Sequence, residues 1–249
     1  MTLATILFVA LSGLLKQPAE RKVSEVGRQD LPDFRTFPTT EAKKANFFGF
    51  LRPVVRAENS AIRRTRERLA DRLAAARDGE LSAEQWAWLR QKAERYRVDL
   101  AERDRVEVAE TLLRKVDVVP VSLVLAQAAK ESAWGTSRFA RQGNNLFGEW
   151  CFAEGCGMVP ARREAGKRHE VEAFATVRAS VASYLHNLNS HPRYRQLRDI
   201  RARLRAEGKP VTGLALAGGL QHYSEQGEKY VSEVRAMIRH NNLGQAGES

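Results

Sequence analysis

Residues 126–148 have the sequence AQAAKESAWGTSRFARQGNNLFG, which places a charged residue and a glycine-bounded turn at the end of an apolar helix. They continue an apolar helix that begins after Pro120, a residue well suited to the first turn of a helix. Val124 and Ala128 lie on its apolar face, and Glu131, seven and three residues further on, falls on the same face. The sequence therefore places a carboxyl group on the buried side of a central helix.

The burial of Glu131 indicates acid chemistry. An ionised carboxylate is costly to bury, so such a group either raises its pKa or finds a charged partner. A carboxylic acid that stays protonated near neutral pH can give its proton to the leaving oxygen of a glycosidic bond. The alternative is an ion pair with Arg138 or Arg141, in which case Glu131 only stabilises the turn.

The residues that follow Glu131 suit the binding of a sugar. Trp134 comes three residues later, and its wide ring can stack on the apolar face of a pyranose. Asn144 and Asn145 offer amide donors and acceptors for sugar hydroxyl or N-acetyl groups. Together they predict a sugar-binding cleft next to the carboxyl group.

Residues 16–115 are predicted to form a largely helical extension. Apolar residues recur at helical spacing from Ile62 to Ala76, and Asp78-Gly79 then ends the helix. Ser82 is a typical N-cap for a second helix, which gives a helical hairpin packed against the main domain. Residues 31–55 contain three prolines, so the stretch up to 57 is predicted to be mixed structure whose aromatic cluster at 47–50 docks on other residues.

The second half of the chain predicts helices around a small β-lobe. Residues 141–175 lose the helical period and are rich in glycine, and His169–Phe174 alternates as a strand does. An amphipathic helix follows and ends at His191-Pro192. Further helices are predicted over 195–206, 212–221 and 228–241.

The start of the chain and its two cysteines indicate export. Residues 2–15 are an unbroken apolar run, short for a membrane span and suited to a signal peptide, although no Lys or Arg precedes it. An uncleaved amphipathic or membrane-tethering segment is the alternative. In an exported protein Cys151 and Cys156 would form a small disulfide loop, and otherwise they are two free thiols. A metal site needs three or four ligands, so neither a metal nor a cofactor is predicted.

The charge balance is basic. Lys and Arg number 41 against 30 Asp and Glu, a formal net charge of +11, and six arginines cluster over 193–205. Such a surface suits nucleic acid, anionic lipid or an acidic cell-wall polymer, or it is a solvated face with no partner. The sequence has no nucleotide-binding loop and no nucleophilic triad, so nucleic acid is the weakest of these alternatives.

The opening stretch closely resembles the glucosaminidase motif of glycoside hydrolase family seventy-three, commonly AQ-x-x-x-ES-x-WG…A…NNLFG. CFAEGCG and HYSEQGEKYVSEVRAMIRHNNL look like the bacterial Bax branch of that family, and the resemblance covers about 30–243. It implies a mainly α (α+β) fold, with a lysozyme-like α-lobe and a small β-hairpin lobe. The resulting organisation is a signal-like segment 1–15, a helical extension 16–115 and a glucosaminidase domain 116–243.

The resemblance also implies roles for single residues. Glu131 matches the catalytic acid, and Tyr223 matches a tyrosine that lines the cleft near that acid. Trp134, Asn145 and Phe147 match positions that shape the sugar cleft.

A second carboxylate is expected on the β-lobe, roughly forty residues after the first, and Glu170 and Glu172 both lie in that window. The chain departs from the family at Lys130, at Glu149-Trp150 and in the loop between the cysteines.

The expected function is an exported hydrolase that cuts β-1,4 bonds next to N-acetylglucosamine in peptidoglycan glycan strands. An anionic envelope surface is a further expected partner, and nucleic acid is not expected. The alternative is an envelope glycan-binding or scaffold protein that kept the cleft and lost turnover.

Overall fold

The structure is a computed structural model that describes residues 31–161, 163 and 166–245. The predicted signal segment 1–15 lies outside these residues. Within them, helices dominate and three short strands form one sheet, which confirms the predicted α-rich fold with a small β-lobe. None of the described helices is both long and apolar enough to cross a lipid bilayer.

The first helix, α1 (Thr40–Arg77), begins earlier than predicted and passes through Pro53. Thr39 caps it, since its side chain accepts a hydrogen bond from the backbone N–H of Ala42. Pro53 removes one helical hydrogen bond, but the surrounding turns bury a continuous apolar face in the main core. The prediction of mixed structure up to residue 57 is therefore wrong from Thr40 onwards, because burial of this face outweighs the proline.

Two further helices, α2 (Ala83–Arg95) and α3 (Arg105–Lys115), pack with the second half of α1. The predicted break at Asp78-Gly79 is confirmed, and Ser82 begins α2 with a capping box completed by Gln85. Apolar side chains fill the space between the three helices: Leu69, Leu81, Leu89, Ala93, Val108, Ala109 and Leu112.

The main core surrounds α4 (Val121–Glu131), in which every residue from Val121 to Ala129 is buried. Helices α1, α8 and α9 pack against α4. The remaining helical elements are α5 (Arg138–Gly143), α6 (Val177–Ser190), a 3₁₀ turn (Pro192–Tyr194), α7 (Arg195–Ala206), α8 (Gly213–Leu216), a 3₁₀ turn (Ala217–Leu220), α9 (Glu228–His240) and a 3₁₀ turn (Leu243–Gln245). A central helix buried on all sides is what its apolar sequence predicts.

The β-lobe contains β1 (Trp150–Cys151), β2 (Gly157–Met158) and β3 (Glu170–Glu172), in the antiparallel order β1-β3-β2. Trp150 pairs with Val171, and Gly157 pairs with Glu172. The predicted disulfide is present, and it closes the turn between Cys151 and Cys156 with a Cα–Cα distance of 6.2 Å. The strand predicted within His169–Phe174 is also confirmed.

The arginine cluster on α7 is largely structural. Arg201 is buried and donates hydrogen bonds to the backbone oxygens of Asp117, Val118 and Lys115. Arg205 binds the carboxylate of Asp117 through two contacts of 2.5 and 2.8 Å. These guanidinium groups tie α7 to the segment before α4, so the count of arginines overstates the basic surface that this helix exposes.

Candidate active site

The C-terminal end of α4 opens into a cleft of about 1300 Å³. Glu131 lies in the wall that the α-lobe forms. The rest of the wall is formed by the NNLFG turn, the strands β1 and β3 of the β-lobe, α6 and the loop 221–228. Aromatic residues line much of it: Phe139, Phe147, Trp150, Tyr184, Tyr194 and Tyr223. The cleft is thus larger than the about 300–1,000 Å³ typical of a site for one small molecule.

Glu131 is the last residue of α4 and only partly exposed. Burial raises the pKa of its carboxyl above the ordinary value for glutamate, and a hydrogen bond from Tyr230 and the charge of Lys130 oppose that rise. Tyr230 donates from its Oη to Oε1 of Glu131 over 2.8 Å. The hydrogen bond fixes one carboxyl oxygen of Glu131, Oε1, at the end of α4.

A chain of buried hydrogen bonds orients Tyr230. Gln127, one turn before Glu131 on α4, donates from Nε2 to the Oη of Tyr230 over 2.9 Å. Tyr184 of α6 donates to the Oε1 of the same amide. The Gln127 amide thus accepts a hydrogen bond at its oxygen and donates one from its nitrogen. Because the hydroxyl of Tyr230 accepts the bond from Gln127, its own hydrogen is left to donate towards Glu131.

The alternative of a structural ion pair for Glu131 is not seen among the described residues. Arg138 donates to the backbone oxygen of Val159, and Arg141 donates to that of Thr136. Lys130 pairs with Glu233 of α9 at 2.6 Å. Glu131 is therefore held by a neutral hydroxyl group and not by a cation among the described residues.

The structure places Trp134 away from the expected sugar contact. Its ring packs edge-on against Phe47 and Phe48 of α1, with Lys44 over its face at 5.2 Å. The next residue, Gly135, has a φ of +74°, and a Cβ there would come within 2.6 Å of Phe34. The Trp-Gly pair therefore docks the first helix beneath the end of α4.

Asn144 and Asn145 stabilise the NNLFG turn through hydrogen bonds to backbone groups. Asn145 is buried, and its amide makes four hydrogen bonds to backbone groups. Its Nδ2 donates to the oxygens of Glu149 and Glu172. Its Oδ1 accepts from the nitrogens of Phe147 and Glu149. These contacts use its full capacity of two donors and two acceptor sites, which leaves nothing for a sugar. Asn144 has a left-handed φ of 50° and donates to the backbone oxygen of Phe174.

Phe147 and Tyr223 both lie in the cleft wall. Phe147 stacks on Tyr184 with ring centroids 3.9 Å apart, and its backbone oxygen accepts a hydrogen bond from the Oη of Tyr223 over 2.9 Å. Tyr223 in turn stacks on Tyr230 at 5.2 Å. Tyr223 therefore supports the ring that binds Glu131, and the tyrosine in contact with the acid is Tyr230.

The structure does not bring Glu170 or Glu172 into the cleft wall. Val171 lines the cleft, and successive side chains of a strand point to opposite faces, so both glutamates point to the other side. Glu170 is buried and accepts hydrogen bonds from the backbone nitrogens of Gly155 and Gly157 in the disulfide loop. Its carboxylate thus holds the loop between the cysteines.

Sequence reasoning missed two residues of the site. Tyr230 belongs to the apolar stripe of α9, where nothing in the spacing distinguishes a core tyrosine from one that binds a carboxyl group. Glu149 follows the NNLFG turn and lines the same cleft as Glu131. Burial raises the pKa of its carboxyl to about 8, and Glu172 adds to the rise, whereas hydrogen bonds from Ser183 and Asn187 oppose it.

One group of residues in the described part has the geometry of a small metal site. Cys151, Cys156 and Glu170 place their ligand atoms within 4.8 Å of one another. The two sulfurs are joined in a disulfide, so neither is a thiolate able to bind a metal.

Comparison with known proteins agrees with this architecture. The profile of the Glucosaminidase family, described as mannosyl-glycoprotein endo-beta-N-acetylglucosaminidase, matches residues 106–243. Protein bax of Escherichia coli (strain K12) is 36% identical over 211 residues, which cover 85% of this chain and 74% of that protein. No solved structure matches the chain at a significant level. The chain therefore belongs to the glucosaminidase family of glycoside hydrolases and is a member of its Bax type.

Proposed function

We propose that the protein is an exported peptidoglycan hydrolase that cleaves β-1,4 glycosidic bonds at N-acetylglucosamine, with Glu131 as the general acid. The observation that carries the proposal is the position of Glu131: a partly buried carboxyl group at the mouth of a large cleft, hydrogen-bonded by Tyr230 and without an ion-pair partner among the described residues.

The proposed reaction uses this geometry directly. A glycan strand lies along the cleft with the oxygen of the scissile bond above Glu131. The carboxyl gives its proton to that oxygen as the bond to the sugar breaks, so the leaving sugar departs as a neutral alcohol. Tyr230 stabilises the carboxylate that remains, because its hydroxyl already donates to Oε1.

The shape of the cleft supports a polymeric substrate. Its volume is about 1300 Å³, and its wall contains Glu131 together with several aromatic rings. Aromatic rings combine an apolar face with low conformational freedom, which suits them to stack on sugar rings. A glycan strand with several rings bound at once fits this wall better than a single small sugar does.

Export is the second part of the proposal. It is supported by the apolar run over residues 2–15, which is typical of a signal peptide, and by the disulfide between Cys151 and Cys156. Peptidoglycan lies outside the cytoplasmic membrane, in the oxidising compartment where disulfides persist, so the proposed substrate and the disulfide indicate the same location. Fractionation of cells that express the full chain should recover it from the periplasm or the cell envelope, and recovery from the cytoplasm would contradict export.

The hydrolase proposal is tested with purified protein and peptidoglycan. Mass spectrometry of the released fragments should show new reducing ends at N-acetylglucosamine. Glu131→Gln should release none while it still sediments with the insoluble polymer. Binding by the unchanged protein without any products would instead favour a glycan-binding envelope protein that has lost turnover.

A further inference from the structure

We infer that Glu149 is a second catalytic carboxyl group of this cleft and takes the proton of the water that attacks the sugar. The inference rests on the proposed function, since it assigns a partner to Glu131 in the same cleft. In this inference the NNLFG turn has a function as well, because it positions Glu149.

The backbone of Glu149 is fixed from both sides. Its N–H donates to Oδ1 of Asn145 over 3.1 Å, and its carbonyl oxygen accepts from Nδ2 of the same amide over 2.9 Å. The backbone N–H of Glu172 donates to that carbonyl as well, over 2.9 Å. One buried asparagine and one strand thus fix the point from which the Glu149 side chain extends.

The Glu149 carboxyl is hydrogen-bonded by Ser183 and Asn187 of α6, but one of its oxygens is left over. Its Oε2 is buried without a hydrogen-bond partner, and no described cation lies within ion-pair distance of the carboxylate. Glu170 shows the contrast, since both of its oxygens accept backbone N–H groups of the disulfide loop. A buried carboxyl oxygen without a partner, on a side chain without a counter-ion, is costly, so its presence in the wall of a cleft indicates use in that cleft.

The other acidic residues of the β-lobe do not take this position. The side chains of Glu170 and Glu172 leave β3 on the face opposite Val171, and Val171 faces the cleft. Glu149 stands one residue before β1, and it lines the cleft together with Glu131. Of these three, Glu149 is the one that shares the cleft with the general acid.

The surroundings of Glu149 define how it titrates. Burial raises the pKa of its carboxyl to about 8, and the nearby Glu172 of β3 adds to the rise. Ser183 and Asn187 of α6 donate hydrogen bonds that oppose it. The other ionisable groups of the cleft are Glu131 on α4, Tyr184 on α6, Arg193 and Tyr194 on the 3₁₀ turn, and His222, Tyr223, Glu225 and Glu228 on the facing loop and the start of α9.

The proposed step balances with water as the second reactant. Glu131 gives its proton to the glycosidic oxygen, and the bond between that oxygen and the anomeric carbon breaks. A water oxygen forms the new bond to the anomeric carbon, and its proton passes to Glu149. The cycle is complete when Glu149 returns a proton to solvent and Glu131 takes one up.

The competent form of the cleft therefore carries one proton on the pair, with Glu131 protonated and Glu149 ionised. Such a pair titrates with two macroscopic pKa values, and kcat/KM is a bell-shaped function of pH. The alkaline limb reports loss of the last proton, which the burial of Glu149 places near pH 8. In Glu149→Gln the remaining carboxyl is Glu131, which has lost its partner in the pair, so the alkaline limb should move to lower pH.

The test compares Glu149→Gln with Glu172→Gln as a matched control from the same lobe. Glu149→Gln should lower kcat on peptidoglycan by about 10²-fold or more while the affinity for the glycan is kept, since general acid–base groups contribute about 10²–10⁴-fold. Glu172→Gln should stay within about threefold of the unchanged protein. A Glu149→Gln variant as active as the unchanged protein, with an unmoved alkaline limb, would overturn the inference.

Azide separates a catalytic role from a structural one. The azide anion attacks an anomeric carbon without a base, so it should restore cleavage by Glu149→Gln and yield the glycosyl azide. Azide should not restore Glu131→Gln, which lacks the proton for the leaving group. If Glu149→Gln is inactive and azide has no effect on it, the inference fails while the proposed function stands. If the unchanged protein cleaves no glycan, the proposed function fails first.

Discussion

Tyr230 of α9 donates a hydrogen bond of 2.8 Å to Glu131 of α4, across 99 positions of sequence. The contact joins the last long helix of the domain to the central one, and Tyr223 stacks on the same ring at 5.2 Å. A phenol in this position lowers the pKa of the carboxyl while burial raises it. The packing of α9 therefore tunes the acid that the proposed reaction uses.

The first prediction concerns this hydrogen bond. Tyr230→Phe removes a donor to the carboxylate, so the pKa of Glu131 should rise further and the carboxyl should stay protonated to higher pH. The acidic limb of the kcat/KM profile should then move to higher pH, whereas Glu149→Gln moves the alkaline limb to lower pH. We expect kcat to fall by about 10- to 10²-fold, because a hydrogen bond to a charged group contributes about 1.5–3 kcal/mol. A profile unchanged from that of the parent protein would contradict a contact between the two groups.

The second prediction concerns Asn145. Asn145→Ala should lower the free energy of unfolding by at least about 2 kcal/mol, because each buried polar group left without a partner costs about 1–3 kcal/mol. Urea unfolding measures the loss. If Asn145 instead bound a sugar, the variant would unfold like the parent protein and would show only a higher KM.

The third prediction concerns the arginines of α7. Arg201→Ala should cost about 3–5 kcal/mol of stability, since it removes a buried guanidinium group that donates to the backbone oxygens of Asp117, Val118 and Lys115 and leaves those oxygens without that partner. Arg203, two residues along and exposed, is the matched control, and Arg203→Ala should stay within about 0.5 kcal/mol. Similar stabilities for the two variants would show that Arg201 is a surface group, as its place in the arginine cluster of the sequence indicates.

Much of the fold follows from local pattern. The apolar run of α4, the break at Asp78-Gly79, the N-cap at Ser82 and the strand that contains Val171 are all visible in the sequence, because capping and periodicity are local properties. The start of α1 is not visible. The prolines before residue 57 indicate irregular structure, and the apolar face that overrides Pro53 is buried only by helices distant in sequence.

The site is predicted less completely, since the partner of a polar side chain decides its role. Glu131 is found from its position on a buried face. Trp134 and Asn145 are residue types that bind sugars, but here the ring packs on α1 and the amide is filled by backbone groups. Their burial comes from packing that no local pattern shows. Glu149 and Tyr230 are missed for the same reason, because each is recognised as a site residue only from its contact with a residue distant in sequence.

If Glu131 supplies the proton for the leaving group, the effect of removing its carboxyl depends on how much the leaving group needs that proton. The measurement compares Glu131→Gln with the unchanged protein on a β-1,4 N-acetylglucosamine oligosaccharide and on the same sugar chain carrying a 2,4-dinitrophenyl leaving group. The first substrate needs a proton from the enzyme, and the second leaves without one. We predict a loss of about 10²–10⁴-fold on the oligosaccharide and less than about tenfold on the dinitrophenyl glycoside. Equal losses on both substrates would contradict a general-acid role for Glu131.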